Sequence, residues 1–129
     1  MKKKAIIVSG YYNPLHEGHL ELFEKAKEEG DLLIAIVNND FQRELKGSKA
    51  FQNQDQRIAI IRAIRFVDIA YVSIDEDQTQ IETLKMLYTR YGDVLELAFA
   101  NGGDQNNDTI PERSICEACL LYTSDAADE

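Results

Sequence analysis

His16 and His19 are the two histidines of this 129-residue chain, three apart in the run Gly10-Tyr11-Tyr12-Asn13-Pro14-Leu15-His16-Glu17-Gly18-His19-Leu20. An apolar run, Ala5-Ile6-Ile7-Val8, precedes them, and a helical pattern, Leu20, Leu22, Phe23 and Ala26, follows. A buried strand, a turn and a helix start together build an anion site. The first N–H groups of a helix point outward unpaired, and the helix dipole favours negative charge there. Side chains at i and i+3 share a helix face, so both imidazoles can reach one guest. Gly18 between them lets a ligand approach the backbone. A phosphate chain suits this chemistry. Zinc is the competing use of two histidines, but zinc sites on one helix favour i, i+4 spacing and require a third ligand.

The elements that must position these residues follow from apolar periodicity. Strand patterns cover about 4–9, 32–37, 67–74 and 94–100. Helical patterns cover about 17–29, 55–65 and 78–91, with Gly30 and Gly92 placed to end the first and third. Residues 38–54 read as a polar loop, and Pro111 suits the first turn of a further short helix. Alternating strands and helices with continuously apolar strands predict an α/β fold: a Rossmann-like parallel sheet with helices on both faces and right-handed crossovers. Ligands of such sheets bind beyond the carboxyl ends of the strands. The loops 11–19, 38–54 and 101–108 all leave that edge.

The bulk composition sets bounds. This length corresponds to one domain. No apolar run approaches membrane-spanning length, and Lys2 to Lys4 lead into a short strand rather than a signal-peptide core, so a cytoplasmic protein with no membrane partner is expected. The formal net charge of −9 argues against nucleic acid as a partner. Residues 43–65 run against that balance, with Arg43, Lys46, Lys49, Arg57, Arg62 and Arg65 facing only Glu44 and Asp55. A local positive segment fits a small polyanion such as a nucleoside triphosphate. Cys116 and Cys119 form a C-x-x-C at the end of the chain, away from the early helix start where redox pairs sit.

His16-Glu17-Gly18-His19 resembles the H-x-G-H signature of the cytidylyltransferase-like nucleotidyltransferases. The segments V-N-N-D-F-Q-R-E-L-K-G, Q-R-I-A-I-I-R-A-I-R-F-V-D and A-N-G-G-D with T-I-P-E extend the likeness over about residues 4–118. They resemble the glycerol-3-phosphate cytidylyltransferase and sugar-phosphate adenylyltransferase branch. The resemblance implies transfer of a nucleoside monophosphate from CTP or ATP to a phosphorylated alcohol or sugar, with pyrophosphate released. It implies that His16 and His19 stabilise the transferring phosphorus and that Lys46 and Arg57 hold phosphates. Tyr11, Asn13, Gly18, Asp40, Arg65, Gly103 and Asp104 would complete the nucleotide and substrate site, with Asp68 beside Arg65. Position 13 is commonly aspartate in this family, so Asn13 weakens any cation contact there. Mg²⁺ held mainly by the nucleotide phosphates is expected, with no metal site made by the protein. A non-catalytic nucleotide-binding regulatory domain of the same fold is the alternative.

Family members of this type continue into a further strand and a serine/threonine-rich loop. Here residues 119–129 show neither strand alternation nor a helical stripe. The expectation is therefore an incomplete domain over 1–118, a non-native tail over 119–129, and a sheet lacking its fifth, C-terminal strand. Such a chain would bind nucleotide poorly, and the complete form would be a homodimer.

Overall fold

Strands buried on both faces read as continuous apolar runs, and two of them form the centre of this molecule. The computed structural model describes residues 2–47, 52–77, 79–100 and 122–124. In chain order the elements are β1 (Lys3–Gly10), α1 (Glu17–Glu28), β2 (Leu32–Val37), α2 (Asp40–Lys46), α3 (Gln54–Arg62), β3 (Ile69–Val72), α4 (Ile81–Tyr91), β4 (Leu95–Ala100) and β5 (Tyr122–Ser124). The strands form one parallel sheet in the order β3-β2-β1-β4-β5, with β1 in the middle.

Side-chain alternation splits the core in two. Ile6, Val8, Leu33, Ala35 and Val37 face Phe23 and Ala26 of α1 and Ile58 and Ile61 of α3. Ala5, Ile7, Ile34, Ile36, Leu97 and Phe99 face Leu84 and Leu87 of α4. This is what right-handed crossovers require. The chain moves outward from β1 to β3 with helices on one face, then returns past β1 to β4 with its helix on the other. The reversal occurs beside β1, so the crevice beyond the carboxyl end of β1 is the switch point where such sheets take ligands.

Two aspartates stitch the amino edge. Asp31 accepts the Lys4 N–H at 2.9 Å, and Asp68 accepts the Leu33 N–H at 2.8 Å while pairing with Lys27. Gly30 follows α1 but does not adopt a left-handed conformation. Its role is close approach, because a Cβ there would lie 2.9 Å from the Lys4 carbonyl oxygen and 3.0 Å from Ile6.

Two sequence expectations are corrected. The segment 38–54 is not all loop, for α2 occupies seven of its residues. The sheet does not stop at β4. Tyr122–Ser124 pair parallel with Ala98–Ala100, giving a short fifth strand. The free edge of β4 offers unpaired N–H and C=O groups, and three residues are too few to show a period of two in sequence. No helix among the described residues is long and apolar enough to cross a membrane.

Candidate active site at the end of the first strand

His16 is the N-cap of α1, with extended backbone, and His19 is its third helical residue. The Gly18 N–H donates to His16 Nδ1 at 3.0 Å, and the His16 N–H donates to His19 Nδ1 at 3.0 Å. This is a reciprocal capping box built from imidazoles instead of a hydroxyl and a carboxylate. The rings stack, 3.8 Å between centroids at 28°. Since each Nδ1 accepts a bond, each neutral ring carries its proton on Nε2. Two Nε2–H donors therefore stand side by side at a helix N-terminus, with no bonded partner among the described residues. Partial burial, then the charge of His16, hold the His19 pKa below its ordinary 6.5. Gly18 does not open space for a ligand as expected. A Cβ there would lie 2.9 Å from His16 Cε1, so the glycine makes room for the imidazole itself.

Tyr12 backs the pair. Its ring meets His19 edge-on at 5.0 Å and Phe23 at 5.4 Å, and it is buried. Its φ of 51° is left-handed, a conformation that costs a non-glycine residue on the order of 1–2 kcal/mol. Gly10 accommodates the ring, since a Cβ there would sit 2.8 Å from Tyr12 Cζ. The Tyr12 hydroxyl is buried without a hydrogen-bond partner among the described residues.

Arg57, on α3, is buried to 1% exposure. Its Nε donates to the Gln52 carbonyl at 3.1 Å, and Nη1 donates to the carbonyls of Tyr11 at 2.8 Å and Asn38 at 2.6 Å. Nη2 donates to Asp40 Oδ1 at 2.8 Å. Asp40 Oδ2 accepts the Gln54 N–H at 3.1 Å, and Gln54 Oε1 accepts the Asp40 N–H at 2.9 Å. Burial alone would raise the Asp40 pKa. The Gln54 bond and the bond and charge of Arg57, with Arg43 adding a little, outweigh it and hold the carboxyl below its ordinary value. Asn13 Oδ1 accepts the Gln52 N–H at 3.0 Å, and the Tyr11 hydroxyl reaches the Gln42 carbonyl at 3.4 Å. The segments after β1 and β2 and the start of α3 are thus tied into one unit around a buried guanidinium.

The cytidylyltransferase-like family model matches residues 7–123, from β1 into β5. The chain belongs to the cytidylyltransferase-like family. It is 38% identical over 121 residues to the bifunctional protein HldE of Aliarcobacter butzleri, covering 92% of this chain and 24% of that protein. It is 38% identical over 66 residues to the glycerol-3-phosphate cytidylyltransferase of Staphylococcus aureus, covering 51% of this chain and 50% of that one. The chain therefore spans a quarter to a half of the length of these relatives. The crystal structure of a lipopolysaccharide core biosynthesis protein from Thermoplasma volcanium shares the fold, with a TM-score of 0.70 at 19% identity over 98% of this chain and 99% of that one. TmcAL of Thermotoga maritima, solved with alpha-thio ATP, matches with a TM-score of 0.56 at 25% identity over 78% of this chain and 25% of its own.

In this family member the structure gathers His16, His19, Gly18, Tyr11, Asn13, Asp40 and Arg57 at the carboxyl edge. It gives two of them unexpected work. Arg57, expected at a phosphate, has four of its five N–H donors engaged, by three carbonyls and Asp40. Asp40, expected to meet nucleotide, has both oxygens engaged by Arg57 and Gln54. Arg65 is not brought to the site at all. It follows α3 and precedes β3, hence lies at the amino edge, where it is exposed with its guanidinium 5.0 Å above the Phe66 ring. Asp68, expected beside Arg65, pairs with Lys27 instead. Lys46 ends α2, and its side chain lies outside the described residues, as do Lys49, Gly103 and Asp104.

Sequence reasoning missed Asn39, Gln42, Asn53 and Gln56. Asn39 with Gln42, and Asn53 with Gln56, form capping boxes on α2 and α3. Gln42, fully buried, also donates to the Asp77 and Thr79 carbonyls at 2.7 and 3.0 Å, fastening the segment after β3 to α2. The repeated N-x-x-Q was the available signal.

Proposed function

We propose that this chain is the nucleotidyl-transfer domain of an enzyme that joins a nucleoside monophosphate, from CTP or ATP, to a phosphorylated alcohol or sugar. One observation carries the reading: two adjacent Nε2–H donors at a helix N-terminus beyond the central strand. An acceptor phosphate oxygen attacks the α-phosphorus, the bond to the β-phosphate oxygen breaks, and pyrophosphate leaves. With a second pKa of about 6, the acceptor phosphate is already mostly dianionic at neutral pH, so no general base is required. The protein's work is to position two anions and stabilise the charge that develops. His16 and His19 supply donors to the transferring phosphoryl group, and Lys46 supplies a phosphate contact from the end of α2.

In this reading Mg²⁺ enters the site with the nucleotide. Among the described residues no three His, Cys, Asp or Glu side chains converge on a metal position, and the Asp40 oxygens are already bonded. Such an ion would screen the phosphates, held by their oxygens and water.

Pyrophosphate release with CTP and with ATP, against a panel of phosphorylated alcohols and sugars, tests the proposal. Turnover that His19→Ala abolishes supports it. Nucleotide binding without turnover on any acceptor would instead make the chain a nucleotide-binding regulatory domain.

A further inference from the structure

A left-handed tyrosine needs something to hold it, because non-glycine residues persist in that region only where their surroundings over-determine them. Tyr12 has φ of 51°. The torsion φ is defined by the preceding carbonyl carbon, and the Tyr11 carbonyl is gripped by Arg57 Nη1 at 2.8 Å. That guanidinium is itself immobilised by Asn38, Gln52 and Asp40. On the other side of the torsion, the Tyr12 ring lies against Gly10 and meets His19 edge-on.

We propose that Arg57 is a positioning residue that sets the His19 imidazole through the Tyr11 carbonyl and the left-handed Tyr12, rather than a phosphate ligand. The chain of contacts is continuous: guanidinium, carbonyl, torsion, ring, imidazole. Four of the five guanidinium N–H groups are already committed, which leaves no pair for a bidentate phosphate contact. To meet a phosphate, Arg57 would also need to leave a pocket where its side chain is 0% exposed. The inference rests on the proposed function only in treating His19 as catalytic. Its main readout needs no nucleotide.

The test is the titration of His19, followed by NMR of the imidazole in the full chain without ligand. Burial, to which the edge-on Tyr12 ring contributes, and then the charge of the stacked His16 depress its midpoint. Arg57→Lys keeps the charge but cannot hold two carbonyls, the Gln52 carbonyl and Asp40 together. We expect Tyr12 to loosen and His19 to gain solvent, so its midpoint moves up toward 6.5. Tyr12→Phe keeps the ring and should leave the midpoint where it is. If Arg57→Lys does not fold, Asp40→Asn weakens the same anchor more gently and should move the midpoint in the same direction by less. An unchanged His19 midpoint in whichever variant folds overturns the proposal. With turnover measurable, Arg57→Lys should lower kcat by roughly a hundredfold, the loss that a displacement of about 1 Å brings, with little change in the nucleotide KM. A raised KM at unchanged kcat means a phosphate ligand and overturns it too. Absence of any turnover in the unmodified chain would count against the proposed function and leave the titration to decide this one.

Discussion

At the scale of single residues, the histidines do two jobs that can be separated. Each Nδ1 holds α1's first turn, which leaves each Nε2–H without a bonded partner among the described residues. His16→Asn keeps a good N-cap and loses the donor, whereas His16→Ala loses both. We expect both variants to lower turnover by about a hundredfold or more. Only the alanine variant should lose stability, by about 1 kcal/mol. Thermal melts beside steady-state rates check this, and equal melting temperatures would refute the cap. The same geometry gives a pH dependence. A proton on Nδ1 would turn an acceptor into a second donor facing an N–H. Because the folded His19 pKa lies below 6.5, the unfolded chain binds the extra proton first. The stability from His19 is complete above 6.5 and is lost as pH falls from there through the folded pKa. Urea melts between pH 7 and pH 5 should show stability falling, less steeply in His19→Asn. Tyr12→Phe removes a buried hydroxyl with no partner among the described residues and should stabilise by about 1 kcal/mol, read in the same melts. The types and spacing of His16 and His19 were legible in sequence. Which ring nitrogen accepts the capping bond was not, because it depends on where two backbone N–H groups point. Arg57 was legible as a charge and not as a clamp. Yet it stands four residues before Ile61 and shares its buried face, so the phase of the helix carried the hint.

At the scale of elements, the helix starts are the stiff points of the carboxyl edge, and α4 is the exception that shows why. Its N-cap, Gln80, makes no side-chain cap bond. A carboxylate from outside the helix does the work instead. Asp75 Oδ2 accepts the Glu82 N–H at 2.8 Å, and Oδ1 accepts the Thr83 N–H at 2.9 Å and the Thr83 hydroxyl. The buried Asp75 thus fills the anion position at this helix start, and binds the strand end to the helix start across the intervening turn. Asp75→Ala should cost about 2–3 kcal/mol, since it strands buried donors that were bonded to a charge. Hydrogen exchange should speed most at Glu82 and Thr83, and uniform acceleration along α4 would contradict a local cap. Such a cap could not be read from sequence, because it bridges seven residues rather than the usual three. The strand β2 was read to the residue because nothing interrupts its apolar run. The helix α2 escaped because its apolar Phe41 and Leu45 are exposed rather than packed as a core stripe.

At the scale of the whole molecule, a parallel sheet with helices on both faces was implied by alternating elements, while the strand order was not and the last strand was too short to announce itself. The central place of β1 has a further consequence, for synthesis. One side of β1 pairs with β2, the next strand made, and the other waits for β4, where Lys3 meets Leu95. Roughly sixty residues separate the two events, several seconds on a ribosome adding about 5–20 residues per second. Through that interval the nascent chain presents Ala5–Val8 as an apolar strand with one edge open. It should bind a holdase chaperone from the emergence of β2 until β4 clears the exit tunnel. Ribosome-arrested chains of increasing length, probed by chaperone crosslinking, would show protection from crosslinking arriving with β4. Protection already complete when only β1, α1 and β2 are out would mean that this half closes on itself.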